Sequence, residues 1–163
     1  MDFKEAFDTV SPSILFLKLV KAGIQGKIFK VIRDLFSSNP ANVHYLSPEF
    51  EINHGVLQGS KLGPILFNLF ANDLLKELEI SGLGAAIGTV NVPALAFADY
   101  IVLISDDHNK LQKLINLCQK WAENNGMAFR TDKCKVMVFN GSPKSFEFKL
   151  YGDILEIVES HNI

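Results

Sequence analysis

The sequence has few of the residues that build metal clusters, disulfide frameworks or membrane spans. Its cysteines and histidines fall in no CxxC or Cys/His pattern, which argues against a zinc site: Cys118, Cys134, His44, His54, His108 and His161. No run of about 20 apolar residues occurs, and no charged region followed by an apolar stretch opens the chain. We therefore expect an intracellular protein of the cytoplasm or nucleus, with no membrane partner.

The sequence also has little net charge. Its 16 Lys and Arg residues against 18 Asp and Glu residues give a formal charge of −2. No overall basic field therefore indicates a nucleic-acid partner, and any polyanion binding must be local. What the chain does have is apolar material, because 48% of its 163 residues are hydrophobic and 13 are phenylalanine. This is enough for one compact core and predicts one domain.

The apolar periodicity predicts four helices. The first begins at Ser11-Pro12 and stops at Gly23, and the second, with a basic face, ends before Asn39-Pro40. The third begins at Pro64 and extends to about residue 79, and the fourth closes at residues 124–126. Cys118 and Trp121 lie on the apolar face of the fourth helix, so we expect both in the core.

Short apolar stretches predict strands between and after these helices. Alternation around Ser47-Pro48 predicts a strand pair within residues 42–53, followed by a glycine-bearing loop at 55–63. Residues 94–98 and 101–104 predict a tight hairpin of buried strands that Asp99-Tyr100 connects. Four more strands are expected at 127–130, 135–139, 146–151 and 154–158. Strands combined with helices in this order predict an α+β fold with helices on one face of a sheet.

Two aspartates are candidates for metal chemistry. Asp2 is expected at the end of a strand and Asp99 at the hairpin tip, and carboxylates on rigid β structure suit Mg²⁺, which takes oxygen ligands. Each aspartate alone also fits a structural role, because an aspartate in a turn more often caps the local backbone. The loop from Gly55 to Ser60, with Gln58 and Gly59, offers a surface that a ligand can approach closely, or simply caps the next helix.

Taken together and in order, three segments resemble the A, B and C motifs of non-LTR retrotransposon reverse transcriptases. They are residues 2–8 (Asp-Phe-Lys-Glu-Ala-Phe-Asp), residues 55–60 (Gly-Val-Leu-Gln-Gly-Ser) leading into 64–68, and residues 97–100 (Phe-Ala-Asp-Tyr). Residues 121–137, with Trp121, Gly126 and Lys133, resemble the motif D region. The resemblance covers the chain up to about Val158. It implies a ferredoxin-like polymerase palm, an antiparallel sheet with helices on one face.

The resemblance also implies roles for particular residues. Asp2 and Asp99, with the main-chain carbonyl of Phe3, would hold two Mg²⁺ ions, for which Mn²⁺ can substitute, and Lys133 would protonate the leaving pyrophosphate. Phe7 matches the steric gate that selects deoxynucleotides. Gln58 and Gly59 match the loop that packs on nucleotide and template. The implied partners are an RNA template, a DNA primer and deoxynucleoside triphosphates.

The chain departs from the family pattern at one catalytic position and at its ends. Tyr100 stands where the hairpin motif has a second aspartate, and a phenol is uncharged at neutral pH, so we expect weak or absent polymerisation. Motif A begins at residue 2, and the chain stops where a primer-grip hairpin and thumb would follow. We therefore expect residues 1–163 to be a single palm domain truncated at both ends, with fingers and thumb missing.

Two other functions remain open from the sequence. A non-catalytic, domesticated palm that binds nucleic acid or a protein partner is the main alternative, since the small net charge leaves a protein partner open. Another palm-fold enzyme, such as a nucleotidyl cyclase, is disfavoured by the Gln58-Gly59-Ser60 loop, which does not belong to those enzymes.

Overall fold

The computed structural model describes residues 1–37, 40–41, 50–51, 55, 62–139 and 146–158. Within these ranges four helices and ten short strands give an α+β protein, as the sequence predicts. The chain divides into two compact units, one of Glu5–Asn72 and one of Met1–Lys4 with Asp73–Ile163. Over the residues that are described, no helix combines the length and apolar character needed to cross a membrane. The expected single domain, truncated at both ends, stays a prediction.

The described residues of the unit 5–72 are mainly helical. It contains α1 (Pro12–Lys21), α2 (Gly26–Ser37) and the first turns of α3 (Gly63–Ser81), together with β1 (Pro40–Ala41), which pairs antiparallel with β2 (Phe50–Glu51). The helix boundaries agree with those predicted, because Pro12 occupies the first turn of α1 and Gly23 follows it with φ +85°. Most of the predicted 42–53 strand pair and 55–63 loop lies outside the described residues.

Aromatic rings hold α1 against α2. The Phe16 ring lies 5.8 Å from that of Phe29 and 5.4 Å from that of Phe36, both edge to face. This geometry is favourable because the positive ring edge meets the negative ring face. Lys18 extends from α1 to donate to the Phe70 carbonyl at 2.8 Å, with its ammonium over the Phe70 ring. The apolar core of this unit therefore also holds the Lys18 ammonium, through the carbonyl and the ring of Phe70.

The other unit contains the remaining strands and a long helix. They are β3 (Ala85–Ile87), β4 (Val90–Val92), β5 (Ala94–Phe97), β6 (Tyr100–Leu103), α4 (His108–Asn124), β7 (Lys135–Met137), β8 (Lys149–Leu150), β9 (Asp153–Ile154) and β10 (Glu156–Val158). Three antiparallel hairpins form from β3–β4, β5–β6 and β8–β9. The strands β7 and β10 pair in parallel, which the expected antiparallel sheet did not include.

The predicted strand at 154–158 is in fact two strands. Leu155 separates β9 from β10, is buried, and donates its N–H to the Phe148 carbonyl at 2.8 Å. This bond completes the β8–β9 hairpin and leaves β10 to pair with β7. Sequence alternation alone gives no sign of the change, because the apolar pattern continues through Leu155.

Helix α4 forms the centre of this unit's core. Its buried residues recur at helical spacing: Leu114, Ile115, Cys118, Trp121 and Ala122. Asp107 caps the N-terminus by accepting from the Lys110 N–H at 2.9 Å, and Gly126 follows the helix with φ +68°. The predictions that the helix ends at residues 124–126 and that Cys118 and Trp121 are core residues are therefore confirmed.

Candidate active site

The segment that carries Asp2 is fixed on both sides by backbone hydrogen bonds. On one side Asp2 bridges Tyr100, and the Ile101 N–H donates to the Met1 carbonyl at 2.9 Å. On the other side the Arg130 N–H donates to the Asp2 carbonyl at 2.9 Å. Asp2 is 7% exposed, so its carboxylate sits on rigid backbone at the edge of the core.

The ring of Phe3 anchors the same segment to the core. Phe3 is 2% exposed, bridges Phe129 through the backbone, and stacks on the Phe129 ring at 4.2 Å between centroids. The Trp121 ring lies 6.0 Å from it, and Trp121 Nε1 donates to Asp73 Oδ1 at 3.0 Å. Buried aromatic contact of this kind limits the movement of the neighbouring aspartate.

The β5–β6 hairpin places Asp99 on the backbone that pairs with the Asp2 segment. Asp99 directly precedes Tyr100, the bridge partner of Asp2, and the register places Asp99 opposite Phe3. The connecting residues are Ala98 and Asp99, not Asp99 and Tyr100 as the sequence predicted, since Tyr100 already pairs with Phe97. Ala98 has φ +53°, the positive value that the first position of a two-residue type II′ turn requires. This strained residue sets the position of Asp99.

One face of the hairpin is open, contrary to the expectation of buried strands. Ile101 is 2% exposed, whereas four cross-strand neighbours on the other face are far more exposed: Leu95 at 58%, Phe97 at 83%, Tyr100 at 43% and Val102 at 45%. Because strand side chains alternate between faces, only the Ile101 side packs on the core. Tyr100 is therefore an accessible side chain beside Asp99.

A tight turn brings Lys133 to Asp2. The N–H groups of Lys133 and Cys134 both donate to the Arg130 carbonyl, at 3.1 and 2.9 Å. Arg130 also pairs with Asp132 at 3.0 Å, and its hydrogen bond holds the pKa of the Asp132 carboxyl below the usual value. The Lys133 Nζ lies 3.7 Å from Asp2 Oδ2. Asp2 and Lys133, which the resemblance grouped, are thus in contact, and Asp99 belongs to the same unit, one residue from the bridge partner of Asp2.

A buried thiol lies behind Asp2, and no sequence pattern indicates it. Burial raises the pKa of Cys134, and a hydrogen bond with the Asp2 backbone opposes the rise. Burial likewise raises the pKa of Cys118 to about 12. Both thiols stay protonated at neutral pH and act as packing groups, as inert buried cysteines do.

The predicted nucleotide-contacting residues belong to the unit of residues 5–72 or lie outside the described chain. Phe7 is half-buried, with its ring 5.1 Å from that of Phe67. Gln58 and Gly59 lie outside the described residues. At the start of that loop Gly55 donates to the Val10 carbonyl at 2.9 Å, and an added Cβ would meet the backbone of Phe7 and Asp8 at 3.2 Å. Glycine is therefore needed at position 55 because the neighbouring backbone leaves little room for a side chain.

The donor set suits a divalent cation that keeps other ligands. Two carboxylates on neighbouring backbone, Asp2 and Asp99, offer hard oxygen donors, and Mg²⁺ commonly takes one or two carboxylates with waters and phosphates as the rest. Within the described ranges no group of three or more His, Cys, Asp or Glu side chains is placed to hold a metal. Among the described residues the two carboxylates therefore fit an ion that keeps ligands from outside the protein, and they do not form a closed protein cage.

A separate cleft of about 480 Å³ lies between α3 and α4. It is lined by Asp73, Lys76, Glu77, Ile80, Ser81 and Leu117. None of the candidate site residues lines it, so we assign it no part in the chemistry.

A comparison with protein families identifies the family to which this fold belongs. Residues 1–153 match the family described as reverse transcriptase (RNA-dependent DNA polymerase). The chain belongs to this family. The four helices and short strands of the described ranges are thus those of a reverse transcriptase domain.

Particular relatives narrow the class to mobile elements. The chain is 31% identical over 147 residues, 88% of its length, to the Retrovirus-related Pol polyprotein from type-2 retrotransposable element R2DM of Drosophila melanogaster. It is 31% identical over 82% of its length to the polyprotein from type-1 retrotransposable element R2 of Popillia japonica. It is 27% identical over 96% of its length to the RNA-directed DNA polymerase from mobile element jockey of Drosophila funebris.

These relatives are much longer proteins. The chain spans 14% of the Drosophila melanogaster polyprotein and 19% of each of the other two. The matches confirm the resemblance to reverse transcriptases of the non-LTR retrotransposon type.

Proposed function

We propose that the chain is the catalytic palm of an RNA-directed DNA polymerase from a non-LTR retrotransposon. It would extend a DNA primer on an RNA template with deoxynucleoside triphosphates, at a rate that Tyr100 keeps low. The observation that carries the proposal is the bridge between Asp2 and Tyr100, which sets Asp2 beside Asp99 on adjacent backbone. Membership of the family and relatives named RNA-directed DNA polymerase support it.

The arrangement around Asp2 supports a ferredoxin-like palm. Strand-like segments lie in the order β5, β6, Asp2-Phe3 and Phe129, each antiparallel to the next. Helix α4 contacts β6 and β8. An antiparallel sheet with a helix packed on one face is the architecture that this order builds.

The side chains then have distinct tasks in phosphoryl transfer. Asp2, Asp99 and the Phe3 carbonyl would hold two Mg²⁺ ions, or Mn²⁺ in their place. When bound, these ions supply charge neutralisation for the triphosphate and activation of the primer 3′-hydroxyl. Lys133, whose ammonium lies beside Asp2, would give a proton to the departing pyrophosphate. The rigid backbone of Asp2 would keep its carboxylate in the position that holds the ions.

Selection of the nucleotide would fall to the other predicted residues. The Phe7 ring, held against Phe67, would meet a ribose 2′-hydroxyl and so favour deoxynucleotides. Gln58 and Gly59 would pack on nucleotide and template. A non-catalytic palm is not favoured, because the family match covers the candidate catalytic residues Asp2, Asp99 and Lys133.

A chimera tests the proposed activity. Residues 1–153 would replace the matching segment of the Drosophila melanogaster relative, and Mg²⁺- or Mn²⁺-dependent extension of a primer on RNA would be measured. We expect slow extension that Asp99→Asn abolishes, whereas Asp106→Asn, which alters an exposed carboxylate paired with Lys110, leaves it unchanged. Extension that survives Asp99→Asn would place the chemistry elsewhere. No extension from a folded chimera, even with Tyr100→Asp added, would reject the enzymatic function.

A further inference from the structure

Asp2 and Lys133 form an ion pair whose two partners differ sharply in their surroundings. Their atoms Oδ2 and Nζ lie 3.7 Å apart, with side-chain exposures of 10% for Asp2 and 51% for Lys133. A carboxylate withdrawn from water is costly unless an opposite charge or hydrogen bonds compensate it. Lys133 supplies such a charge at the position where a metal ligand is proposed.

Of the two side chains in this ion pair, only that of Lys133 can move away from its partner. The backbone of Asp2 is bonded through its own carbonyl to Arg130 and through Met1 to Ile101. The backbone of Lys133 is also fixed by its turn, but its amine stands at the end of four flexible methylenes and half of its side chain faces solvent. The ammonium can therefore swing into water at small cost while the carboxylate stays in place.

A divalent cation and the ammonium need the same oxygen atoms. Two positive charges beside one carboxylate repel each other, and the divalent ion has twice the attraction for it. We propose that Lys133 is the resting counter-ion of Asp2, and that a divalent cation entering the site displaces its ammonium. This inference rests on the proposed function, because it takes Asp2 as a metal ligand. Displacement would release Lys133 toward the phosphates at the moment when its proton is needed.

Binding of Mn²⁺ alone to the 163-residue chain gives the first measurement, from the electron paramagnetic resonance signal of free Mn²⁺. Lys133→Met should tighten binding about fivefold, the factor that corresponds to the roughly 1 kcal/mol of a partly exposed ion pair. Lys135→Met is the matched control, because it removes the same charge two residues along, where the ammonium pairs with the exposed Glu156. The Mn²⁺ affinity of the Lys135→Met variant should differ from that of the natural chain by less than about twofold.

Acylation of lysine amines, quantified by peptide mass spectrometry, distinguishes two explanations for such a change in affinity. Either Mn²⁺ displaces the Lys133 ammonium, or the charge of Lys133 weakens Mn²⁺ binding without the ammonium moving. Lys133 should react faster as Mn²⁺ saturates the site, whereas Lys135 should not change. Asp2→Asn should raise Lys133 reactivity without any cation and remove the response to Mn²⁺. These results together would support the inference.

Two other results would overturn it in different ways. Mn²⁺ binding that leaves Lys133 acylation unchanged would reject displacement, even if Lys133→Met binds more tightly, and would leave the proposed site intact. Mn²⁺ binding to neither the natural chain nor the Lys133→Met variant would reject both the displacement and the proposed metal site.

Discussion

Replacement of Tyr100 by aspartate adds a carboxylate at the position where reverse transcriptases of this type have one. Tyr100 is 43% exposed, so the new charge would remain hydrated and the hairpin would lose little packing. Tyr100 is also the backbone bridge partner of Asp2. Facing residues of an antiparallel bridge have Cα atoms about 4.5–5.5 Å apart, so the new carboxylate would lie close to both Asp2 and Asp99.

These positions set the size of the effect. Two unit charges ~5 Å apart interact by roughly 3 kcal/mol at an effective dielectric constant of 20 and by about 0.8 kcal/mol in water. Because this face of the hairpin is open to solvent, we expect Tyr100→Asp to lower the free energy of unfolding of the metal-free chain by about 1 kcal/mol. The new carboxylate and a divalent cation would attract each other twice as strongly as two unit charges, by roughly 2–6 kcal/mol. This corresponds to about one to four powers of ten in cation binding or reaction rate.

Primer extension by the same chimera measures the rate, and thermal unfolding measures the stability. Tyr100→Asp should raise Mg²⁺-dependent extension by at least about tenfold, and the double change with Asp99→Ala should give none. Val102→Asp is the matched control, because Val102 is 45% exposed on the same hairpin face but two residues from the bridge. Tyr100→Phe, which adds no charge, should have no effect on extension.

Two outcomes would refute this reasoning. Robust extension with Tyr100 in place, equal to that of Tyr100→Asp, would show that the second hairpin carboxylate is dispensable in this protein. An equal gain from Val102→Asp would show that added negative charge acts without regard to position.

Three further predictions follow from particular residues. In the chimera, Phe7→Ala should increase ribonucleotide incorporation, since the ring proposed to exclude the ribose 2′-hydroxyl is gone. Unchanged discrimination in extension assays would remove that role from Phe7. Phe129→Ala should lower the free energy of unfolding by about 3–5 kcal/mol, because it deletes a buried ring stacked on Phe3, and urea unfolding measures this. Burial raises the pKa of Cys118 to about 12. An unfolded thiol titrates near ~8.5, so its stabilising contribution is complete below that pH and is lost as the pH rises toward ~12. Urea midpoints at increasing alkaline pH should fall for this reason, and Cys118→Ala should flatten that decline.

The helices could be located from the sequence because their signals are local. Pro12 fixes the first turn of α1, and Gly126 allows the positive φ that follows α4. The buried face of α4 repeats with the helical period, so Cys118 and Trp121 could be assigned to the core from that repeat alone. Such features depend only on residues within a turn or two of each other.

The strand pairings could not be located with the same success. The parallel pairing of β7 with β10 joins segments about twenty residues apart, and the apolar pattern of either strand is compatible with several partners. The observed hairpin turn lies one residue earlier than predicted, because Ala98 adopts φ +53°. An alanine in the sequence gives no reason to expect that value. The expected site residues Gln58 and Gly59 remain predictions.

The sequence by itself determined the reverse transcriptase family, the α+β class and the helix boundaries, because ordered motifs and local periodicity encode them. The candidate pair Asp2 and Asp99 comes from the same motifs and stays a prediction. Only the tertiary structure decided that Lys133 pairs with Asp2 and that Tyr100 faces solvent. The physical reason is that ion pairing and exposure depend on which distant segments meet, and that is set by the burial of Phe3 against Phe129 and by hydrogen bonds from Ile101 and Arg130. No local pattern in the chain encodes those contacts.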